Sequence, residues 1–129
     1  MIYLSKKTVF TTKAPKPVGP YSQAVIGGGF VFVSGQIPID PKTQKVVEGG
    51  IEKQTVQVIE NLKNIIESIN LTLNDIVKTS VFLSDLNDFQ SFNSVYNKYF
   101  EVNPPARTTV QAGLMAGVLL EIDAIAKKI

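Results

Sequence analysis

Residues 119–126 read LLEIDAIA, and the alternation within them decides how the rest of the chain must be arranged. Successive side chains on a strand point to opposite faces. Leu120, Ile122, Ala124 and Ala126 therefore share one apolar face, and Glu121 and Asp123 share the other. Such a strand needs an apolar layer against its first face. Its second face needs water or charged partners, because a buried unpaired charge costs several kcal/mol.

Two amphipathic segments supply the apolar layer. From Gly50 to Asn70, the positions Ile51, Val58, Ile59, Leu62, Ile65, Ile66 and Ile69 recur at helical spacing, with Glu and Lys on the other side. A second helix starts at Asp88 as N-cap. In it Phe89, Phe92, Val95, Tyr96, Tyr99 and Phe100 form an aromatic stripe, read mostly as core, that Pro104 and Pro105 end.

The remaining segments read as strands. Residues 6–12 form a short first strand, and Pro15, Pro17 and Pro20 hold the following connection extended. AVIGGGFVFVSGQI, residues 24–37, reads as a hairpin turning at Gly27, Gly28 and Gly29. The glycine triplet lacks the GxxxxGK[ST] spacing of a phosphate loop. Asp40 and Pro41 mark a turn. In residues 76–84, IVKTSVFLS, the positions Val77, Thr79, Val81 and Leu83 are expected on one face. A strand over 106–112 precedes the last one. The order is β, β-β, α, β, α, β, β, which implies an α+β fold of one domain, 1–129, with a mixed sheet and two helices packed on one face.

Composition narrows the chemistry. The 129 residues include no histidine and no cysteine, which excludes a thiol nucleophile, a Ser-His-Asp triad and an ordinary zinc site. No apolar run is long enough to span a bilayer. The first ten residues, MIYLSKKTVF, lack the charged start and long apolar core of a leader, so a cytoplasmic location is expected. A net charge of +2 with scattered lysines argues against a nucleic-acid partner.

Arg107, in PPARTTV (104–110), is the single arginine of the chain. Two readings of it stand side by side. It could form a cross-strand ion pair with Glu121 or Asp123. Alternatively, its planar fork could clamp a substrate carboxylate while a carboxyl group handles water and protons.

The strings GPYSQA (19–24), VFVSGQIPID (31–40), DIVKTSVFLSDLNDF (75–89), FNSVYNKYF (92–100), PPARTTV (104–110) and LEIDAIA (120–126) together resemble the RidA/YjgF family of enamine/imine deaminases. The resemblance covers nearly the whole chain. It implies a fold like bacterial trimeric chorismate mutase, a homotrimer whose sheets form a central barrel, and active sites at the subunit interfaces. It implies that Arg107 holds the substrate carboxylate and that Glu121 manages the attacking water. Tyr21 and Ser34 would form the polar wall of the cleft, with Gly35, Phe89, Asn93 and the backbone of Thr109 as lining. The substrate implied is a 2-aminoacrylate-type enamine or imine, released by pyridoxal-phosphate dehydratases and converted to a 2-oxo acid and ammonia without metal or cofactor.

Two departures from the family pattern fall here. Thr109 stands where cysteine is frequent, and the stretch between Arg107 and Glu121 is one residue shorter, with Leu114-Met115 in place of a Leu-Pro turn. The family also offers two other readings: a translation-inhibiting ribonuclease, and a regulatory trimer that binds small carboxylates without turnover.

Overall fold

The computed structural model describes residues 5–128; residues 1–4, part of the N-terminal stretch read above as no leader, and residue 129 lie outside them. Strands β1 (Lys7–Val9), β2 (Ala24–Gly27) and β3 (Phe30–Gln36) are followed by a small hairpin of β4 (Ile39–Asp40) and β5 (Lys45–Val46). Helix α1 (Gly50–Glu67), strand β6 (Ile76–Leu83), helix α2 (Phe89–Phe100), and strands β7 (Ala106–Gln111) and β8 (Leu120–Lys127) complete the order.

The main sheet runs β1-β2-β3-β8-β6-β7. Only β6 and β7 pair in parallel; the other neighbours are antiparallel, so the sheet is mixed. The connections from β3 through α1 to β6, and from β6 through α2 to β7, advance in the same direction across the sheet. Crossovers of one hand then place both helices on one face. The α+β arrangement expected from the sequence is the one observed.

Local chemistry explains most boundaries. Gly28 and Gly29 both have positive φ, 61° and 81°, which a two-residue hairpin loop between twisted strands demands. Ile59, Leu62, Ile65 and Ile66 of α1 and Phe92 of α2 are fully buried against Val31, Val81, Leu83, Leu120 and Ile122 of the sheet. Each such side chain contributes about 1.5–3 kcal/mol of apolar burial. Tyr99 of α2 donates to Glu60 Oε2 of α1 at 2.9 Å, linking the helices. Burial and that carboxylate push the Tyr99 phenol up to about 12.

Three local expectations need correction. Val77 is 43% exposed, and Ile76 takes the buried place. Ile76 pairs with Ala126 but Lys78 with Ile125, so Val77 is the extra residue of a bulge that reverses the alternation. Asp88 precedes α2 but makes no side-chain cap; the chain enters through a 3₁₀ turn, Leu86–Asp88, whose cap is Asp85, accepting from Asn87 N. The first strand ends at Val9, because beyond it the backbone bonds to a side chain: Thr11 N–H donates to Gln23 Oε1 at 2.7 Å.

The face of the sheet away from the helices carries exposed apolar side chains, among them Phe30, Phe32 and Val110. Among the described residues no helix is long and apolar enough to cross a membrane.

Candidate active site

The eight candidate residues form two groups of four, on opposite sides of the sheet. Glu121 pairs with Phe82 and Arg107 with Thr79, three positions apart along β6. An odd separation on a strand means opposite faces. β6 lies between β7 and β8, so a cross-strand ion pair between Arg107 and either carboxylate of β8 is excluded within one chain. Adjacency in sequence suggested that pairing, and the sheet order removes it.

Glu121 stands on the open face. Beside it β3 bulges: Val33 pairs with Ala124 and Gln36 with Ile122, so Ser34 and Gly35 oppose a single residue of β8. The bulge brings the Gly35 backbone against the Glu121 carboxyl, so that a side chain at position 35 would have to displace it. Ser34 Oγ donates to Ser22 O at 2.6 Å, and Ser34 N to Gln23 O at 2.9 Å. Tyr21 is half exposed, its hydroxyl accepting from Val18 N at 3.3 Å. Together Tyr21, Ser34, Gly35 and Glu121 line a cavity of about 310 Å³ with Val18, Ile37 and Met115. Burial holds the Glu121 carboxyl above the usual carboxylate range, and the charge of Asp123 adds in the same direction.

Buried amides hold the walls of this cavity. Gln23 Nε2 donates to Thr11 O and Pro15 O, each at 3.0 Å, fastening the proline segment that carries Val18 and Tyr21. Asn61 Nδ2 donates to Ile39 O at 2.9 Å beyond Ile37. Gln54 Oε1 accepts from Leu119 N at 2.9 Å, where β8 begins. These three supports were not singled out in the sequence. Their only signal is an amide in an otherwise apolar or proline-rich setting, which by itself says nothing of its partner.

Arg107 occupies the helix side of the edge strand β7. Its Nη1 donates to Asn93 Oδ1 at 2.8 Å. Its Cζ lies 4.8 Å from the ring centre of Tyr96 and 5.6 Å from those of Phe89 and Phe92. Rings at this range attract a guanidinium and hold its plane. Tyr96 is itself fixed, its hydroxyl 2.8 Å from Thr79 Oγ1 in the core. Burial raises the Tyr96 phenol, outweighing the Thr79 hydrogen bond and the Arg107 charge. Thr109, two residues along the same face, keeps a buried Oγ1 with no hydrogen-bond partner among the described residues. A cleft of about 360 Å³ adjoins Arg107 and Asn93.

A mixed sheet backed by two helices defines an α+β class of protein that solved structures of similar sequence share. The profile of the family described as Endoribonuclease L-PSP matches residues 11–128. The chain belongs to this family, the RidA/YjgF group. It is 53% identical over 126 residues to a RutC family protein of Pyrococcus abyssi, covering 97% of this chain and 99% of that one. It is 39% identical over 127 residues to the human 2-iminobutanoate/2-iminopropanoate deaminase, covering 98% and 93%. Among solved structures, Escherichia coli TdcF with bound serine superposes with a TM-score of 0.91 at 40% identity, covering 95% of this chain and 99% of that one.

Proposed function

We propose that this protein hydrolyses 2-imino acids, the tautomers of 2-aminoacrylate-type enamines, to 2-oxo acids and ammonia, as a homotrimer. In this reading the Arg107 group of one copy faces the Glu121 group of the next. The observation that carries it is the division of the candidate residues between two faces of one sheet, which leaves each chain with two incomplete halves. The apolar open face supports assembly, since Phe32 and Val110 need a cover that the described residues do not supply.

The chemistry follows from the side chains. The guanidinium of Arg107, its plane fixed by Tyr96 and Asn93, takes the substrate carboxylate through two parallel hydrogen bonds. The imine carbon is already electrophilic. Glu121 accepts a proton as water oxygen bonds to that carbon, giving a tetrahedral carbinolamine. That proton goes to the nitrogen, and as the C–N bond breaks the carbinolamine hydroxyl becomes the carbonyl, its own proton passing through Glu121 to the departing nitrogen, so that ammonia and a 2-oxo acid are released. A carboxyl whose pKa lies above the ordinary range suits both halves of this transfer.

The names of the relatives agree with a small amino-acid-sized ligand. The mammalian relatives are named as deaminases of four- and three-carbon 2-imino acids, and TdcF holds serine. The RNA-cleaving reading suggested by the family description has less support, since no histidine exists to act as acid or base. The test generates 2-aminoacrylate in situ with a serine dehydratase and follows pyruvate. Acceleration beyond the spontaneous rate is expected. An unchanged rate, with cleavage of RNA under the same conditions, would replace this reading with the other.

A further inference from the structure

We infer that Met115 forms the wall of a side-chain subsite that makes the enzyme prefer 2-imino acids with apolar side chains longer than a methyl group. The inference rests on the deaminase reading and concerns the same cavity. Its polar side chains are those of Tyr21, Ser34 and Glu121, and Val18, Ile37 and Met115 supply its apolar side. A ligand whose reacting carbon sits beside Glu121 would lay its side chain along that apolar side.

The loop holding Met115 is built to present it. Both ends are pinned: Ala112 N donates to Leu83 O at 3.0 Å, and Leu119 N to Gln54 Oε1 at 2.9 Å. Val118 is buried as an anchor at 2% exposure, while Met115 is 72% exposed. Between them Ala116 and Gly117 both have positive φ, 58° and 66°. Alanine in the left-handed region is strained, and strain of this kind persists where surrounding contacts enforce it, often at functional edges. Here it turns the chain so that Met115 reaches the cavity with Glu121. A thioether on three rotatable bonds adapts to aliphatic partners of different shape, and it offers nothing to a charged one.

The measurement is a ratio. Imines from leucine and from alanine are generated by an amino-acid oxidase, and kcat/KM is compared for the two in wild type, Met115→Ala and Met115→Leu. The wild type should favour the leucine imine. Met115→Ala should lower the leucine-to-alanine ratio by about tenfold, the range expected for losing methylene contacts in a pocket. Met115→Leu should restore most of it. A ratio in Met115→Ala within twofold of wild type overturns the subsite.

Binding of 4-methyl-2-oxopentanoate and pyruvate, by calorimetry, gives a second readout independent of turnover. If the wild type hydrolyses neither imine, the deaminase reading falls and the binding ratio alone decides the subsite. Equal binding of the two oxo acids, or none of either, overturns it.

Discussion

The carboxyl of Glu121 occupies the place where a side chain at position 35 would begin: a Cβ there would lie 2.8 Å from Glu121 Cδ. The obstacle is the end of a flexible side chain, so Gly35→Ala should fold, with the carboxylate swung aside. Displacements of about 1 Å cost on the order of a hundredfold in rate. A fall of that size in kcat/KM, with Tm within a few degrees of wild type, is the expected result. Kinetics beside thermal melting would check it.

Burial and Asp123 both raise the Glu121 pKa, burial more. On the proposed mechanism Glu121 takes a proton from water and works when ionised, so kcat/KM should fall as pH drops, at a pH above the usual carboxylate range. Asp123→Asn removes the smaller cause, so this acid limb should move to lower pH without reaching the ordinary position.

The same shift bears on stability, with a definite sign. A carboxyl whose folded pKa is raised contributes stability that is present below its unfolded pKa, near 4.3, and lost as pH rises through the folded value. Glu121→Gln should therefore raise Tm at neutral pH, and the gain should vanish in acid. Melts at pH 3.5 and 7.5 separate this from a carboxylate engaged in a stabilising ion pair, whose removal would lower Tm at neutral pH.

Arg107 depends on its surroundings for direction. Arg107→Lys keeps the charge but loses the fork, and should cost roughly a hundredfold in kcat/KM, while Arg107→Ala should abolish turnover. Asn93→Ala removes a charge-assisted hydrogen bond of about 1.5–3 kcal/mol, so KM for the imine should rise about tenfold or more. Tyr96→Phe leaves the buried Thr79 hydroxyl unpaired and should lower stability by about 1–3 kcal/mol in urea denaturation.

Local pattern carried much of the fold. The spacing of Ile51 through Ile66 placed α1, and the alternation of residues 119–126 placed β8 and the carboxylates on its free face. Gly28 and Gly29 marked the hairpin. What local pattern did not carry was neighbourhood. That β8 inserts between β3 and β6, and so separates Glu121 from Arg107, is a property of the whole chain's packing. Bulges are equally silent: nothing in IVKTSVFLS announces that Val77 is the extra residue. The composition signal of a lone arginine found Arg107, whereas Tyr96, read as core, turned out to be both core and support for that guanidinium.

The measurement that tests the central claim most directly mixes two inactive variants. Arg107→Ala and Glu121→Gln chains are unfolded together in equal amounts, refolded, and assayed with the coupled dehydratase. If each site takes Arg107 from one copy and Glu121 from the next around a closed ring, random assembly gives an intact pair with probability one half times one half. About a quarter of wild-type activity should return. Mixed trimers that remain as inactive as either variant alone, while both variants fold and assemble, would contradict a site shared between copies.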